Sequence, residues 1–152
     1  MVSDVIDVEE TLNRTVAAAD LAQSGRTYWD QHECLILDRF IPKTIVNPCL
    51  TEVERLRKYI YRNYVPGHKQ GGSVSHYAMW NQFHESSALL SLYRSPALRR
   101  FLSQIVKEEL QLCPDNDPHA CALYYYTQPG DHIGYHYDHS YYKGKRYTVL
   151  MG

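Results

Sequence analysis

Apolar residues in the first two thirds of the chain recur at the three- and four-residue spacing of amphipathic helices. This spacing predicts one helix over residues 8–23, a second over residues 51–64 and a third over residues 96–110. Thr51 and Glu54 have the form of a capping box, in which each side chain satisfies a backbone amide at the start of the second helix. This part of the chain is therefore expected to be mainly helical.

Shorter segments between these helices indicate other elements. The apolar run at residues 34–37 predicts a short strand. Residues 68–75 are polar and rich in glycine, which predicts a flexible loop, and residues 66–86 form a candidate lid. Ser95 followed by Pro96 predicts a cap with proline at the first helical position.

The pattern changes after Pro118, where aromatic and apolar residues alternate with short turns. Three strands are expected, over residues 120–126, 133–138 and 147–151, with a turn at residues 128–131. A helical part followed by a part rich in strands is typical of the α+β class, in which helices cover one side of a sheet.

The amino-acid composition excludes several classes of protein. The chain has 152 residues, with 16 lysines and arginines against 17 aspartates and glutamates. This balance excludes a protein that binds nucleic acid mainly through phosphate contacts. Hydrophobic residues make up 44% of the chain, which excludes a largely disordered protein. Because no run of about 18 apolar residues is present, no membrane span is expected.

The N-terminus and the cysteines indicate the cellular compartment. Residues 1–10 are acidic and lack the apolar stretch of a secretory signal, so we expect a cytoplasmic protein. The four cysteines show no paired spacing and are expected to be reduced thiols. The same lack of spacing disfavours a zinc site built from all four.

The candidate chemistry lies at His136-Tyr137-Asp138. Residues i and i+2 of a strand point to the same face, so His136 and Asp138 would present an imidazole and a carboxylate side by side. These are two members of the triad of two histidines and one carboxylate that holds non-haem Fe(II). The simpler alternative is a solvated surface pair, because an isolated His-x-Asp pattern often arises by chance.

Residues 126–138, followed by residues 146–151, resemble the Fe(II)/2-oxoglutarate-dependent dioxygenases. Gly130 lies six residues before His136, as in the prolyl-4-hydroxylase-like branch, whereas Ile133 replaces the tyrosine of that branch. The same residues also resemble a group of free-amino-acid hydroxylases and radical halogenases. The resemblance is specific over about the last 30 residues.

The resemblance implies a double-stranded β-helix, or jelly roll, packed against the N-terminal helices. Residues 1–118 would form the helical cover and the first strands, and residues 119–152 the first part of the jelly-roll core. Fe(II) would be held by His136, Asp138 and a second, distal histidine, with 2-oxoglutarate and O₂ as co-substrates. The implied reaction is oxidative decarboxylation of 2-oxoglutarate to succinate, coupled to hydroxylation of a small polar substrate such as a free amino acid.

Four further residues are candidates for binding the co-substrate or the substrate. Tyr124 and Tyr126 share one face of their expected strand, where a hydroxyl could bind 2-oxoglutarate, or the rings could be core aromatics. Arg146 could pair with a substrate carboxylate or with Asp131 across the hairpin. Thr148 lies on the same expected strand face as Arg146 and could support the co-substrate.

Asp138 favours hydroxylation over halogenation. In the radical halogenases of this superfamily a glycine or alanine replaces the carboxylate, and halide occupies the vacated position. The distal histidine and the basic 2-oxoglutarate anchor lie well downstream of the His-x-Asp motif in the family, whereas only 14 residues follow Asp138 here. We therefore expect the chain to be the N-terminal part of a longer enzyme and inactive by itself.

Two alternatives remain open. One is a non-enzymatic, β-rich binding or regulatory module that keeps the sheet without a complete metal site. The other is a metal-binding cupin that completes its site by forming a homodimer. For the oxygenase we expect a small-molecule substrate, and neither a nucleic acid nor a membrane as a partner.

Overall fold

A computed structural model describes residues 7–76, 87–137 and 143–152. Within these ranges the chain forms five α-helices and one antiparallel sheet of four short strands, so the α+β class is confirmed. The helices are α1 Val8–Ala18, α2 Leu21–Asp30, α3 Lys43–Leu56, α4 Ala88–Arg94 and α5 Pro96–Val106, and the strands are β1 Tyr61–Val65, β2 Lys69–Val74, β3 Leu123–Tyr125 and β4 His132–Ile133.

The single N-terminal helix expected over residues 8–23 is two helices. Asp7 caps α1, and Asp20 Oδ1 accepts a hydrogen bond from the Gln23 amide at 2.8 Å to start α2. Gly25 lies inside α2, beyond the predicted end of the helix at residue 23. The sequence pattern missed this break because the apolar stripe continues from one helix into the next.

The second expected helix begins earlier and ends earlier than predicted. α3 starts at Lys43, and the Thr51 hydroxyl donates to the Asn47 carbonyl at 3.1 Å inside the helix, so the capping-box interpretation is wrong. The helix ends at Leu56 and a 3₁₀ turn leads into β1. Buried Ile45 lies on the upstream part of the apolar stripe that holds α3 against the core.

Residues expected to form a flexible loop are the central strand of the sheet. β2 pairs with β1 on one edge, and with β3 and β4 on the other. An ideal Cβ on Gly72 would lie 2.5 Å from Ile60 Cγ2, so glycine permits a close approach here. His76, at the end of this segment, is buried. Within the candidate lid, residues 77–86 lie outside the described ranges.

β3 and β4 occupy the same position beside β2. Val74 pairs with Leu123, Gly72 with Tyr125 and Gln70 with His132, so both strands run in one direction along that edge. The turn at residues 128–131 interrupts them, as predicted, with Gly130 at a φ of +86°. The residues after β4 therefore lie beside the N-terminal end of β2, next to His68.

Two of the expected strands do not form. Residues 34–37 pair with no strand in the described ranges, because Leu35 and Leu37 pack against the cluster formed by α2 and α5. Residues 147–151 are also not a strand, since Tyr147 packs against the same helical cluster. Leu35, Leu37 and Tyr147 are partly buried against helices, whereas the other large apolar side chains of the two segments are exposed. A local pattern cannot distinguish such packing on helices from burial in a sheet.

Two apolar clusters hold the fold together. The larger joins α1, α3, α4 and the inner face of the sheet and includes Leu12, Leu56 and Tyr125. The smaller joins α2 and α5 around Tyr28 and Phe101. The start of the third expected helix is confirmed in α5, where Ser95 Oγ accepts from the Leu98 amide at 3.2 Å, but the helix ends at Val106 and not at residue 110. No helix in the described ranges has the length and apolar character needed to cross a membrane. The jelly roll and the division at residue 118 stay predictions.

Candidate active site

β4 leads directly into the segment that carries the candidate metal ligand. The strand ends at Ile133, so residues 134–137 do not continue the strand expected over residues 133–138. His136 is exposed, and Asp138 lies outside the described residues. The strand alternation that was expected to place the two side chains on one face therefore does not apply at His136.

The His136 ring is oriented by its own backbone. Its Nδ1 lies 2.8 Å from the Gly134 carbonyl oxygen. A carbonyl can only accept, so Nδ1 carries the proton and the lone pair of the neutral ring is on Nε2. This is the tautomer in which a histidine binds a metal through Nε2 while its other nitrogen donates to a carbonyl. His132 Nδ1 makes the same contact with the Gly130 carbonyl, also at 2.8 Å.

A second histidine, His68, lies beside His136. The His68 and His136 ring centroids are 5.8 Å apart and the ring planes are inclined at 83°. The Gly134 amide donates to the His68 carbonyl at 2.7 Å, which ties the two segments together. An ideal Cβ on Gly134 would lie 3.1 Å from that carbonyl oxygen, so a glycine suits this position. Sequence reasoning missed His68 because it assigned residues 68–75 to a flexible loop.

Asp131 fixes the turn that precedes β4. Its side chain is 2% exposed, and Arg62 Nη1 donates to Oδ2 at 2.9 Å, with Nη2 donating to Oδ1. The Thr127 and Gln128 amides donate to Oδ2 at 2.8 and 3.0 Å, and Gln70 Nε2 donates to Oδ1 at 3.3 Å. Five donors on one carboxylate make this turn a rigid base for the segment that carries His136.

This arrangement determines the charge state of Asp131. The Arg62 guanidinium, with the Gln128 and Thr127 amides and Gln70, holds the pKa of the Asp131 carboxyl well below its usual range, although partial burial opposes this. The sequence left two partners open for Arg146, a substrate carboxylate or Asp131. The structure pairs Asp131 with Arg62 instead.

Tyr124 and Tyr126 share the outward face of the sheet, as expected. Lys69 Nζ lies 4.9 Å from the Tyr124 ring centroid, and the Tyr126 ring covers Gly71, two residues further along β2. Tyr125 points the other way, and its hydroxyl donates to a main-chain carbonyl of α3. The two outward rings are about half exposed, at 48% and 46%, so the alternative of fully buried core aromatics does not hold. A role in binding 2-oxoglutarate stays a prediction.

Arg146 and Thr148 do not lie on the sheet. The Lys145 ammonium pairs with Glu108 at 2.9 Å, just after α5, and Tyr147 packs on the helical cluster around Tyr28. The expected strand that would have placed Arg146 and Thr148 beside the site is absent from this segment. Their proposed roles toward substrate and co-substrate stay predictions.

The cysteines form no cluster with other metal-binding side chains in the described part of the chain. All four are free thiols. Burial raises the pKa of the Cys49 and Cys121 thiols to about 11. Both therefore stay protonated at neutral pH, which makes them poor nucleophiles and poor metal ligands.

Comparison with known proteins identifies a family. A family model described as halogenase D matches residues 16–143. The chain belongs to the halogenase D family. No curated protein and no solved structure matches it. The family match extends from α1 to beyond β4, so it includes the helices as well as the segment whose residues carry the resemblance to the oxygenases.

This halogenase D family member has few Fe(II) donors among its described residues. In the ranges that the structure describes, no cluster of three or more His, Cys, Asp or Glu side chains is present. His136 nevertheless has the tautomer of a metal ligand, and borderline ions such as Fe(II) accept imidazole nitrogen. The described residues therefore supply one side chain that is suited to binding Fe(II), His136.

Proposed function

We propose that this protein is an Fe(II)/2-oxoglutarate-dependent oxygenase that hydroxylates a small polar substrate, such as a free amino acid. The observation that carries the proposal is the His136 ring, whose Nδ1 is bonded to the Gly134 carbonyl and whose Nε2 therefore bears the lone pair. Support also comes from the His-x-Asp sequence, which lies inside the region matched by the halogenase D family.

The chain's own residues would hold and orient the reactants. His136 would bind Fe(II) through Nε2, and Asp138 would supply the carboxylate of the triad. The Gly134 carbonyl fixes the His136 tautomer, and Asp131 keeps the preceding turn in place. Bound Fe(II) would supply the oxidative chemistry, in which substrate, 2-oxoglutarate and O₂ become hydroxylated substrate, succinate and CO₂.

Halogenation is the second candidate, because the matched family is described as a halogenase. The carboxylate of Asp138 argues for hydroxylation, since halide would need the coordination position that this carboxylate occupies. The two reactions give different products from one substrate. Mass spectrometry of reactions run with and without chloride would distinguish a hydroxylated product from a chlorinated one.

The proposal is tested by anaerobic titration of the full-length protein with Fe(II) and 2-oxoglutarate. We expect the visible metal-to-ligand absorption band of this class of oxygenase, and succinate on addition of O₂ and a reactive amino acid. His136→Ala and Asp138→Ala should abolish both signals. His132→Ala is the matched control, because His132 Nδ1 makes the same contact with a backbone carbonyl. A band that persists in His136→Ala would show that the site is wrongly assigned.

A further inference from the structure

The segment that leads to His136 is fixed to the β1–β2 hairpin over four consecutive residues. Residues 132 and 133 pair with β2 as strand β4. Before this strand Asp131 is held by its side chain, and after it the Gly134 amide donates to the His68 carbonyl at 2.7 Å. The Gly134 carbonyl lies 2.8 Å from Nδ1 of His136. These contacts form an unbroken connection from Asp131 to the His136 ring.

Arg62 of β1 supplies the positive charge at the start of this connection. Its guanidinium donates through both terminal nitrogens, to Oδ2 of Asp131 at 2.9 Å and to Oδ1. The Asp131 side chain is 2% exposed, so its carboxylate depends on donors from the protein. Gln70 donates at a longer distance, 3.3 Å, and the two backbone amides belong to the turn itself. Without Arg62 the carboxylate would lose the cation that neutralises it, and the turn would open toward water.

The contact between the His136 ring and the Gly134 carbonyl needs this support. His136 is exposed, and water competes with a hydrogen bond between groups that it can reach. Neutral imidazole can carry its proton on either nitrogen. A single tautomer therefore requires that the backbone at residues 134–136 is held by contacts from elsewhere in the fold. The Asp131 turn and the Gly134 amide provide such contacts.

We propose that Arg62 is a positioning residue for the His136 imidazole and acts through Asp131 and β4. The inference rests on the proposed function for the role of His136 as a metal ligand, and it leaves the ligand set that the resemblance implies unchanged. Arg62 lies 69 positions before Asp131 in the chain. Through it, the β1–β2 hairpin decides which nitrogen of His136 bears the lone pair and where that nitrogen points.

Long-range ¹H–¹⁵N NMR of the metal-free, full-length protein measures the tautomer directly. Under alkaline conditions that leave imidazole neutral, His136 of the unmodified protein should be in the Nδ1–H form. Arg62→Gln removes the cation and its paired hydrogen bonds and should give a mixture with the Nε2–H form. Arg62→Lys keeps the charge without the two parallel hydrogen bonds, so its population of the Nδ1–H form should be intermediate.

Two controls separate positioning from a general loss of stability. Arg57→Gln removes an exposed arginine that pairs with Glu54 at 2.9 Å and should leave the His136 tautomer unchanged. Glu52→Ala removes a buried carboxylate at the start of α4, far from the turn in sequence, and should leave it unchanged as well. A Glu52→Ala protein that shifts the tautomer as much as Arg62→Gln does overturns the positioning role.

An unchanged tautomer in Arg62→Gln also overturns it. If Arg62→Gln does not fold, two milder variants decide the question, Arg62→Lys and Gln70→Met. Gln70→Met removes the 3.3 Å hydrogen bond to Asp131 and keeps the arginine. Both should lower the population of the Nδ1–H form, and a tautomer unchanged in both contradicts a role of this contact in positioning His136.

Metal binding separates failure of this inference from failure of the proposed function. In the full-length protein, the Fe(II) concentration that half-saturates the 2-oxoglutarate absorption band should rise about tenfold in Arg62→Gln and stay unchanged in Arg57→Gln. If the oxygenase assignment is wrong, the unmodified protein gives no band, but the His136 tautomer still responds to Arg62→Gln. If the assignment is right and the positioning role is wrong, Arg62→Gln keeps both the band and the tautomer of the unmodified protein.

Discussion

At the scale of single residues, glycines decide which parts of the backbone can approach each other. Gly134 allows its segment to lie against His68, and Gly72 allows β2 to lie against Ile60. Neither role is visible in the sequence, where residues 68–75 look like a flexible loop. The distinction depends on atoms that are distant along the chain, so a local pattern cannot supply it.

Alanine substitution should separate a packed glycine from an unpacked one. Gly72→Ala would place a methyl group 2.5 Å from Ile60 Cγ2 and should lower the free energy of unfolding by about 1–3 kcal/mol. Gly25 lies inside α2 with nothing within 4 Å of an ideal Cβ, so Gly25→Ala should raise it by about 1 kcal/mol. Urea denaturation measures both. Equal effects of the two substitutions would contradict the close approach at Gly72.

At the scale of elements, local signals identified the helices better than the strands. Ser95-Pro96 marks the start of α5 because a cap and its proline act within one turn. β2 and the contact between His68 and His136 depend on pairing across about half the chain. The inferred metal ligand His136 could be predicted from its motif, whereas its neighbour His68 could not.

A buried side chain of α3 holds the start of another helix, α4. Glu52 of α3 is 6% exposed; its carboxylate accepts from the Ser87 hydroxyl at 2.6 Å and from the Ala88 amide at the start of α4. Glu52→Ala leaves these buried donors without their acceptor and should lower the free energy of unfolding by about 2–3 kcal/mol. Glu54→Ala removes an exposed pair with Arg57 and should change it by less than about 0.5 kcal/mol.

The same urea series decides this prediction. If Glu52→Ala and Glu54→Ala have the same small effect, the Glu52 carboxylate does not hold α4 to α3. A Glu52→Gln variant keeps the shape of the side chain and some of its acceptor capacity. It should therefore lie between the unmodified protein and Glu52→Ala.

The turn held by Asp131 predicts a dependence of stability on pH. The folded-state pKa of Asp131 lies below its unfolded value, so its contribution is complete above the unfolded pKa of about 3.9 and decreases as the pH falls toward the folded value. Asp131→Asn should destabilise the protein at pH 7 and reduce this acid sensitivity. Thermal melts between pH 7 and pH 3 measure it, with Asp38→Asn as an exposed control. An unchanged acid profile in Asp131→Asn would contradict the assigned pairing.

At the scale of the whole molecule, the described residues cover the sheet on one face only. Its inner face packs on α3 and α4. The outer face carries large apolar side chains that are between 42% and 70% exposed: Tyr61, Val65, Tyr124, Tyr126 and Ile133. An apolar face of this kind is unusual on an isolated domain. The sequence indicated aromatic strands, but their cover could not be predicted because strand pairing is not local.

The outer face should bind a dye that reports exposed apolar surface. Anilinonaphthalene sulfonate fluorescence should rise with the folded protein and fall when Tyr124 and Tyr126 are both replaced by serine, because these neighbouring rings form the centre of the face. Ile36→Ser is the control, since Ile36 is 83% exposed and lies away from the sheet. If the control and the double variant lose the same amount of fluorescence, the dye binds scattered apolar residues. The outer face would then not be a continuous apolar surface.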